Sequence, residues 1–185
     1  MSMRNYVERA KDFVKEIYPY MERANFGCYE MVDEVELFNE EKNRKVLFRH
    51  GIARVALISS DYVVKYEYDP EEVEAVGGGE AEIELYEQAK EDGFAYLLAE
   101  VTRFVYNGKR FYIMPRIRGI NEDNWYHADH FMTDAEREWC DKVNLSDLHC
   151  NNYGFRKGKV CLIDYACHLD YASSEYSSSE SSSWS

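Results

Sequence analysis

Three oxygen-bearing side chains in the last third of the chain have types and a spacing that could bind a cation. Asp147 and Asn152 lie five residues apart in a polar stretch, and Asp164 directly follows the apolar run 160–163. Carboxylate and amide oxygens are hard ligands, and they suit Mg²⁺ that is bound together with the phosphates of a substrate. The pattern therefore predicts a Mg²⁺ site at which phosphates bind.

The polar, glycine-bearing link at residues 156–159 is typical of a hairpin turn, and it indicates the elements that position these side chains. We expect a short loop to present Asp147 and Asn152, and two strands to pair through the turn so that Asp164 emerges beside them. A plainer interpretation stays open, in which Asp147 and Asn152 cap a turn and Asp164 ends a surface strand.

The order of these residues resembles the active site of protein kinases and aminoglycoside phosphotransferases. Asp147-Leu-His-Cys-Asn-Asn152 looks like the catalytic loop, and Asp164-Tyr-Ala stands where these families carry Asp-Phe-Gly or Asp-x-x. The resemblance implies that Asp147 accepts the proton of the attacking hydroxyl, and that Asn152 and Asp164 hold Mg²⁺. It is closest to the compact kinase-like proteins of phages and bacteria.

The chain before this loop is rich in β-forming residues. Three strands are predicted in succession, at residues 45–49, 54–58 and 62–68. The resemblance implies that Lys65 on the third strand contacts the α- and β-phosphates of ATP, and that the turn at Gly51 lets backbone amides approach the phosphates. The glycine-rich loop of the family is reduced here to Gly51, and Arg54 is an alternative phosphate contact. Taken alone, Lys65 is equally consistent with an ordinary charge on an open strand face.

A helix is predicted at residues 80–90 from its composition and apolar spacing. In a kinase-like lobe this helix supplies one glutamate that pairs with the third-strand lysine. Glu82 is the preferred candidate because Leu85, Tyr86 and Ala89 follow it at helical spacing. Glu80 and Glu84 remain alternatives.

Asn107-Gly108 separates two β-rich runs, which is the strongest short hairpin signal. By resemblance, Met114 and the two residues after it would form the hinge directly after the second strand, where backbone groups meet the adenine edge. Ile113 would then line the back of the nucleotide pocket. The alternative is that this hairpin has only a structural role.

Composition limits the classes of partner. The net charge of −13 opposes binding to a nucleic-acid backbone, and no stretch has the roughly 18 apolar residues of a membrane span. Five cysteines without regular spacing indicate reduced thiols in a cytoplasm, which is a host cytoplasm if the protein is phage-encoded. A zinc site is not expected, because its candidate ligands lack the spacing of structural zinc sites: His127, His130, Cys140, His149 and Cys150.

The predicted fold class is α+β, a truncated kinase-like bilobal fold with an antiparallel small-lobe sheet and a reduced helical large lobe. The resemblance covers about residues 46–166. The predicted segments are an N-terminal helix and extension at 1–44, the small lobe at 45–118, the reduced large lobe at 119–172 and a disordered Ser-rich tail at 173–185. Within the first segment, an amphipathic helix is expected at residues 5–23, ended or kinked by Pro19.

The preferred function is an ATP- and Mg²⁺-dependent phosphotransferase, resembling a protein Ser/Thr kinase, that transfers the γ-phosphate to a hydroxyl group. Its partners would be ATP and a protein substrate, and the Ser-rich tail is either a substrate in cis or a solubilising tail. One alternative is a pseudokinase that binds nucleotide or protein without catalysis. Another is an acidic protein-binding module, such as a phage inhibitor of a host protein whose negative surface mimics nucleic acid.

Overall fold

The structure is a computed structural model that describes residues 3–69, 73, 77–119 and 126–165. Its described residues form an α+β fold with four α-helices and eight strands. The helices are α1 (Met3–Arg23), α2 (Glu30–Lys42), α3 (Gly79–Asp92) and α4 (Asp134–Lys142). The strands are β1 (Leu47–His50), β2 (Arg54–Ile58), β3 (Tyr62–Glu67), β4 (Thr102–Tyr106), β5 (Lys109–Pro115), β6 (Arg118–Gly119), β7 (Tyr153–Arg156) and β8 (Lys159–Leu162).

The first five strands form an antiparallel sheet in the order β1-β2-β3-β5-β4. The predicted hairpin between β4 and β5 is confirmed. Asn107 and Gly108 both have positive φ, 47° and 76°, and such turns match the right-handed twist of the paired strands. The helix α3 lies between β3 and β4 in the chain, so the sheet is assembled from two separate segments.

The predicted N-terminal helix is confirmed as α1, and it continues through Pro19 to Arg23. Its apolar stripe packs on one face of the five-stranded sheet. Phe13 is central to this contact, because its ring lies 5.7 Å from the rings of both Phe38 on α2 and Tyr62 on β3. The residues expected as an N-terminal extension are therefore part of the core that covers this face.

The helix α2 was not predicted, because its apolar residues are sparse among acidic ones. Three of its five apolar residues nevertheless recur at steps of four and three, and these three are buried: Met31, Val35 and Phe38. That spacing defines one face of a helix and was the signal available in the sequence. The side chain of Asn39 then binds both the N–H and the C=O of Val46 at 2.9 Å, which fixes the start of the sheet.

The last three strands form a second antiparallel sheet in the order β6-β7-β8. The predicted hairpin at residues 156–159 is confirmed as the β7–β8 turn, with Lys157 and Gly158 at positive φ. The strand β6 was not predicted, since two residues carry no periodic signal. Gly154 permits its pairing, because a Cβ atom there would collide with the backbone carbonyl of Arg118.

A second core lies on the other face of the large sheet and continues into the residues that follow it. Tyr112 and Met114 of β5 pack there with Trp139 of α4 and Leu162 of β8. The helix α4 begins with a capping box, since Glu136 N–H donates to the Thr133 hydroxyl and the Glu136 carboxylate accepts from the Thr133 N–H.

The secondary structure of the expected large lobe differs from the helical one that was predicted. Its described residues contain one α-helix of nine residues and a three-stranded sheet. Ala166 and the predicted Ser-rich tail lie outside the described residues. Within the described ranges, none of the helices combines the length and the apolarity required to cross a membrane.

Candidate functional site

Lys65 is a buried lysine in the middle of the five-stranded sheet. Its neighbours Val64 and Tyr66 pack into the core beneath α1. Because side chains alternate along a strand, Lys65 lies on the opposite face, where it is opposite Tyr112 and only 6% exposed. A charge buried to this degree requires partners.

Glu82 of α3 is the first partner of Lys65. It is fully buried, and its Oε1 accepts a hydrogen bond of 2.7 Å from Lys65 Nζ. Of the other two candidate glutamates, Glu80 contacts Arg103 and the Tyr112 hydroxyl, and Glu84 is exposed. The helix therefore turns Glu82 alone among these three toward Lys65.

Asp164 is the second partner, and it follows β8 by two residues. Lys65 Nζ lies 3.3 Å from Asp164 Oδ1 and also donates to the Ile163 carbonyl at 2.9 Å. Arg54, the first residue of β2, joins the same group: its Nη2 donates to Asp164 Oδ1, and its Nη1 lies 3.1 Å from Glu82 Oε1. We call Arg54, Lys65, Glu82 and Asp164 the ion cluster.

The ion cluster keeps the carboxylate of Asp164 ionised. Burial by itself would raise the pKa of Asp164, but the charges of Lys65 and Arg54 hold that pKa well below its ordinary value. Burial would likewise lower the pKa of Arg54, and Glu82 and Asp164 raise it instead. By residue type the cluster contains two basic and two acidic side chains.

Asp147 and Asn152 are connected to the ion cluster through the backbone. The Asn152 side chain is nearly buried, and its Nδ2 donates to the Asp147 carbonyl at 3.0 Å. The Asn152 carbonyl accepts from the N–H of Ile163 at 2.8 Å, directly before Asp164. The carboxylate of Asp147 lies 3.3 Å from Nε2 of His149. The loop 147–152 is thus joined by a backbone hydrogen bond to Ile163, the residue before Asp164.

The residues present fit Mg²⁺ shared with a polyphosphate. The Asp164 side chain is 43% exposed and can be reached by a ligand. The hydrogen bond from Asn152 uses its amide nitrogen, and the oxygen is the end of an amide that binds a cation. Among the described residues there is no group of three or more His, Cys, Asp or Glu arranged for a metal. Mg²⁺ requires no such group, since it commonly uses one or two carboxylates with substrate phosphates.

Gly51 lies in the exposed turn between β1 and β2, and its N–H donates to the Arg54 carbonyl at 2.9 Å. Its φ is not positive, and an added Cβ atom would meet no described heavy atom within 4 Å. The turn itself therefore does not require glycine. A glycine at this exposed position leaves room for a ligand to approach the backbone closely.

The structure changes the expected hinge. Met114 lies inside β5, where it is opposite Val63 and only 1% exposed, and the strand continues to Pro115. The N–H of Arg116 already donates to the Asp61 carbonyl at 3.1 Å. Met114 and Pro115 therefore belong to the end of the strand β5, whereas the sequence predicted that the hinge begins at Met114, after the strand.

The prediction for Ile113 was wrong. Its side chain packs in the core beneath α1, on the face of the sheet away from Lys65. Alternation along β5 puts Tyr112 and Met114 on the Lys65 face instead. Met114 thus remains on the face where the sequence placed the nucleotide pocket, and Ile113 does not.

The double contact of Arg54 was missed by sequence reasoning. A signal existed in the strand register: Ala56 is opposite Lys65, and Arg54 is two residues earlier on the same face of the sheet. A second cation beside Lys65 could therefore have been predicted once the β2–β3 pairing was assumed.

Comparison with known proteins gives no family assignment. No protein-family model matches the chain, and no similar sequence is found among curated proteins. The functional interpretation rests on the chemistry of the ion cluster and of the loop 147–152.

Proposed function

We propose that the protein is an ATP- and Mg²⁺-dependent phosphotransferase that transfers the γ-phosphate of ATP to a hydroxyl group. The observation that carries this proposal is the buried Lys65, which is bound to Glu82 of α3 and to Asp164 after β8. Protein kinases use the same three parts: a strand lysine, a helix glutamate that holds it and a metal-binding aspartate. A buried ion pair is a weak source of stability, so a functional reason is the better explanation for this one.

The fold supports the same proposal. The five-stranded sheet with α3 would be the small lobe, and α4 with the β6–β8 sheet would be a reduced large lobe. The ion cluster joins them, because Arg54, Lys65 and Glu82 come from the first part and Asp164 from the second. A ligand bound at this junction would be held by both parts.

Each residue has a role in the transfer. Lys65 orients the α- and β-phosphates, and Glu82 keeps the lysine amine in place. The acceptor oxygen forms its bond to the γ-phosphorus as the bond from phosphorus to the bridging oxygen of ADP breaks, and the carboxylate of Asp147 takes the hydroxyl proton. Asn152 and Asp164 would hold Mg²⁺, which neutralises charge on the phosphates when it is bound. Positioning and charge neutralisation supply the rate.

A cytoplasmic location fits this chemistry, since ATP and Mg²⁺ are abundant there. Four cysteines in the described part of the chain are free thiols, which supports a reducing compartment: Cys28, Cys140, Cys150 and Cys161.

The test is transfer of label from γ-³²P-ATP in Mg²⁺ buffer, with the purified full chain, a generic protein acceptor and a panel of small alcohols. We expect Asp147→Ala to reduce the rate about 10²- to 10⁴-fold, the usual contribution of a general base, and Asp164→Ala to abolish transfer. The exposed Asp141→Ala on α4 is the matched control and should retain full activity. The proposal fails if the wild type transfers no label, whether or not ATP with Mg²⁺ stabilises it.

A pseudokinase is the second candidate, and one observation favours it. Asp164 Oδ1 is already in contact with both Arg54 and Lys65, so its capacity for a metal is partly used. This candidate predicts stabilisation by nucleotide without label transfer, and identical nucleotide affinity in the wild type and in Asp147→Ala. An acidic binding module would show neither response.

A further inference from the structure

Arg54 occupies the oxygen that the proposed function assigns to Mg²⁺. Its Nη2 donates to Asp164 Oδ1, and Lys65 Nζ lies 3.3 Å from the same oxygen. A carboxylate oxygen that accepts from two cations has little remaining attraction for a third. In this arrangement Asp164 is therefore a poor cation ligand, although its side chain is open to solvent.

We propose that Arg54 competes with Mg²⁺ for Asp164, and that a bound polyphosphate ends the competition by drawing the Arg54 guanidinium onto itself. This inference rests on the proposed function and assigns a regulatory role to a residue of the same site. It makes metal binding conditional on the nucleotide.

The contacts indicate that Arg54 is the cation that moves. Lys65 is held by Glu82 at 2.7 Å and by the Ile163 carbonyl at 2.9 Å, and its side chain is only 8% exposed. Arg54 is twice as exposed, at 16%, and begins β2 beside the exposed turn that contains Gly51. Lys65 therefore stays with its partners when the Arg54–Asp164 contact breaks.

The geometry of the guanidinium allows a partial exchange. Arg54 Nη1 faces Glu82 Oε1 at 3.1 Å, and the separate Nη2 group faces Asp164. Because the guanidinium carries five N–H donors in a planar fork, Arg54 can transfer the Nη2 contact from Asp164 to a phosphate oxygen and keep its contact with Glu82. Bidentate contacts between arginine and phosphate are strong, charge-assisted hydrogen bonds.

The charge balance gives the direction of the coupling. The ion cluster has two basic and two acidic side chains, so a divalent cation alone would add unbalanced positive charge to a largely buried site. A polyphosphate supplies negative charge and also frees Asp164. Each ligand should therefore tighten binding of the other, and by linkage the factor is the same in both directions.

The test compares the wild type with Arg54→Gln, using isothermal titration calorimetry with Mg²⁺ alone, ADP alone and both together. We expect the Mg²⁺ affinity of the wild type to rise at least about tenfold when ADP is present, within the usual range of allosteric coupling. In Arg54→Gln, Mg²⁺ alone should bind about tenfold tighter than in the wild type, and ADP alone should bind more weakly. The coupling factor should fall below about threefold.

Arg49→Gln is the matched control, because Arg49 is exposed on the neighbouring strand and its side chain donates to the Phe48 carbonyl. It should reproduce the wild-type constants. Circular dichroism reports whether Arg54→Gln is folded. If Arg54→Gln is not folded, the inference is tested by the coupling in the wild type alone. Independent binding of Mg²⁺ and ADP to the wild type then overturns it.

Two failures are distinguishable. Equal Mg²⁺ affinity of the wild type and folded Arg54→Gln without nucleotide overturns the role of Arg54. As long as ADP with Mg²⁺ binds, this result does not bear on the proposed function, which the label-transfer assay decides. If the wild type binds ADP neither with nor without Mg²⁺, both the inference and the proposed function are overturned.

Discussion

Lys65 is tolerated in the interior because separate segments of the chain supply its partners. Glu82 comes from α3, and the Ile163 carbonyl and Asp164 come from the end of the β7–β8 hairpin. Arg54 adds a second cation that is bound by the same two carboxylates. Removal of one carboxylate therefore leaves two buried cations with a single anionic partner.

At the scale of the residue, we predict that Glu82→Gln destabilises the fold strongly. Glu82 is fully buried and contacts Lys65 at 2.7 Å and Arg54 at 3.1 Å. Loss of one partner of a buried ion pair costs about 3 kcal/mol, since it leaves uncompensated charge. The measurement is the free energy of unfolding in urea.

Glu84→Gln is the matched control, because it removes the same charge from an exposed position of the same helix. Its unfolding free energy should lie within about 0.5 kcal/mol of the wild type. Equal values for Glu82→Gln and Glu84→Gln would contradict the assignment of Glu82 as the buried partner.

A second prediction concerns pH. Lys65 and Arg54 hold the pKa of Asp164 below its ordinary value, against the opposing effect of burial. The ionised carboxylate thus stabilises the folded state fully above the unfolded pKa of about 4. That contribution declines as the pH falls from about 4 toward the lower pKa of the folded state.

The urea midpoints of the wild type and Asp164→Asn measure this contribution, because their other carboxyl groups are the same. Between about pH 5 and 8 the difference in midpoint should be constant, and below about pH 4 it should shrink. A difference that widens in acid would mean that the pKa of Asp164 is raised in the folded state.

At the scale of the element, two of the turns that join sheet strands contain glycine under different constraints. Gly108 has a φ of 76° in the β4–β5 turn, where an L-residue is strained. Gly51 in the β1–β2 turn has no positive φ, and an added Cβ atom would meet no described heavy atom within 4 Å. The first glycine is required by the backbone, and the second is not; the proposed function assigns it to the approach of the phosphates.

We therefore predict that Gly108→Ala lowers the unfolding free energy by about 1–2 kcal/mol, the cost of a left-handed conformation for a residue with a Cβ atom. Gly51→Ala should change it by less than about 0.5 kcal/mol but weaken ADP binding with Mg²⁺. Urea denaturation and calorimetry of both variants provide the comparison. A large loss of stability in Gly51→Ala with unchanged ADP affinity would contradict this division.

At the scale of the whole molecule, the five-stranded sheet has an apolar core on one face and the ion cluster on the other. The helices α1 and α2 cover one face with an apolar core. The ion cluster lies on the other face, between α3 and the β7–β8 hairpin. The helices α1 and α2 therefore support the site from behind the sheet.

We predict that Phe13→Ala costs about 3–5 kcal/mol of unfolding free energy, as for other buried aromatic truncations. Phe13 is 2% exposed and contacts both Phe38 and Tyr62. The control Val105→Ala, on the edge strand β4 at 55% exposure, should cost less than about 1 kcal/mol. Thermal and urea denaturation give both values. Equal costs would mean that α1 is not packed on the sheet.

The local elements were largely predictable from the sequence. Four local signals each specify structure through neighbouring residues alone: the periodicity of residues 5–23, the Asn107-Gly108 turn, the glycine-bearing link at 156–159 and the Thr133 capping box. The helix α2 was missed because its buried stripe has only three apolar residues. The strand β6 was missed because it is defined by its pairing with β7 and not by a local sequence preference.

The candidate site was predictable only as a set of residue types. The sequence by itself determined that Lys65, Glu82 and Asp164 are present with the right spacing, because each lies in an element with a local signal. Only the tertiary structure decided that Arg54 joins them and that Ile113 does not. The physical reason is that strand register and the face of a sheet depend on contacts between residues far apart in the chain, here 110 positions for Arg54 and Asp164.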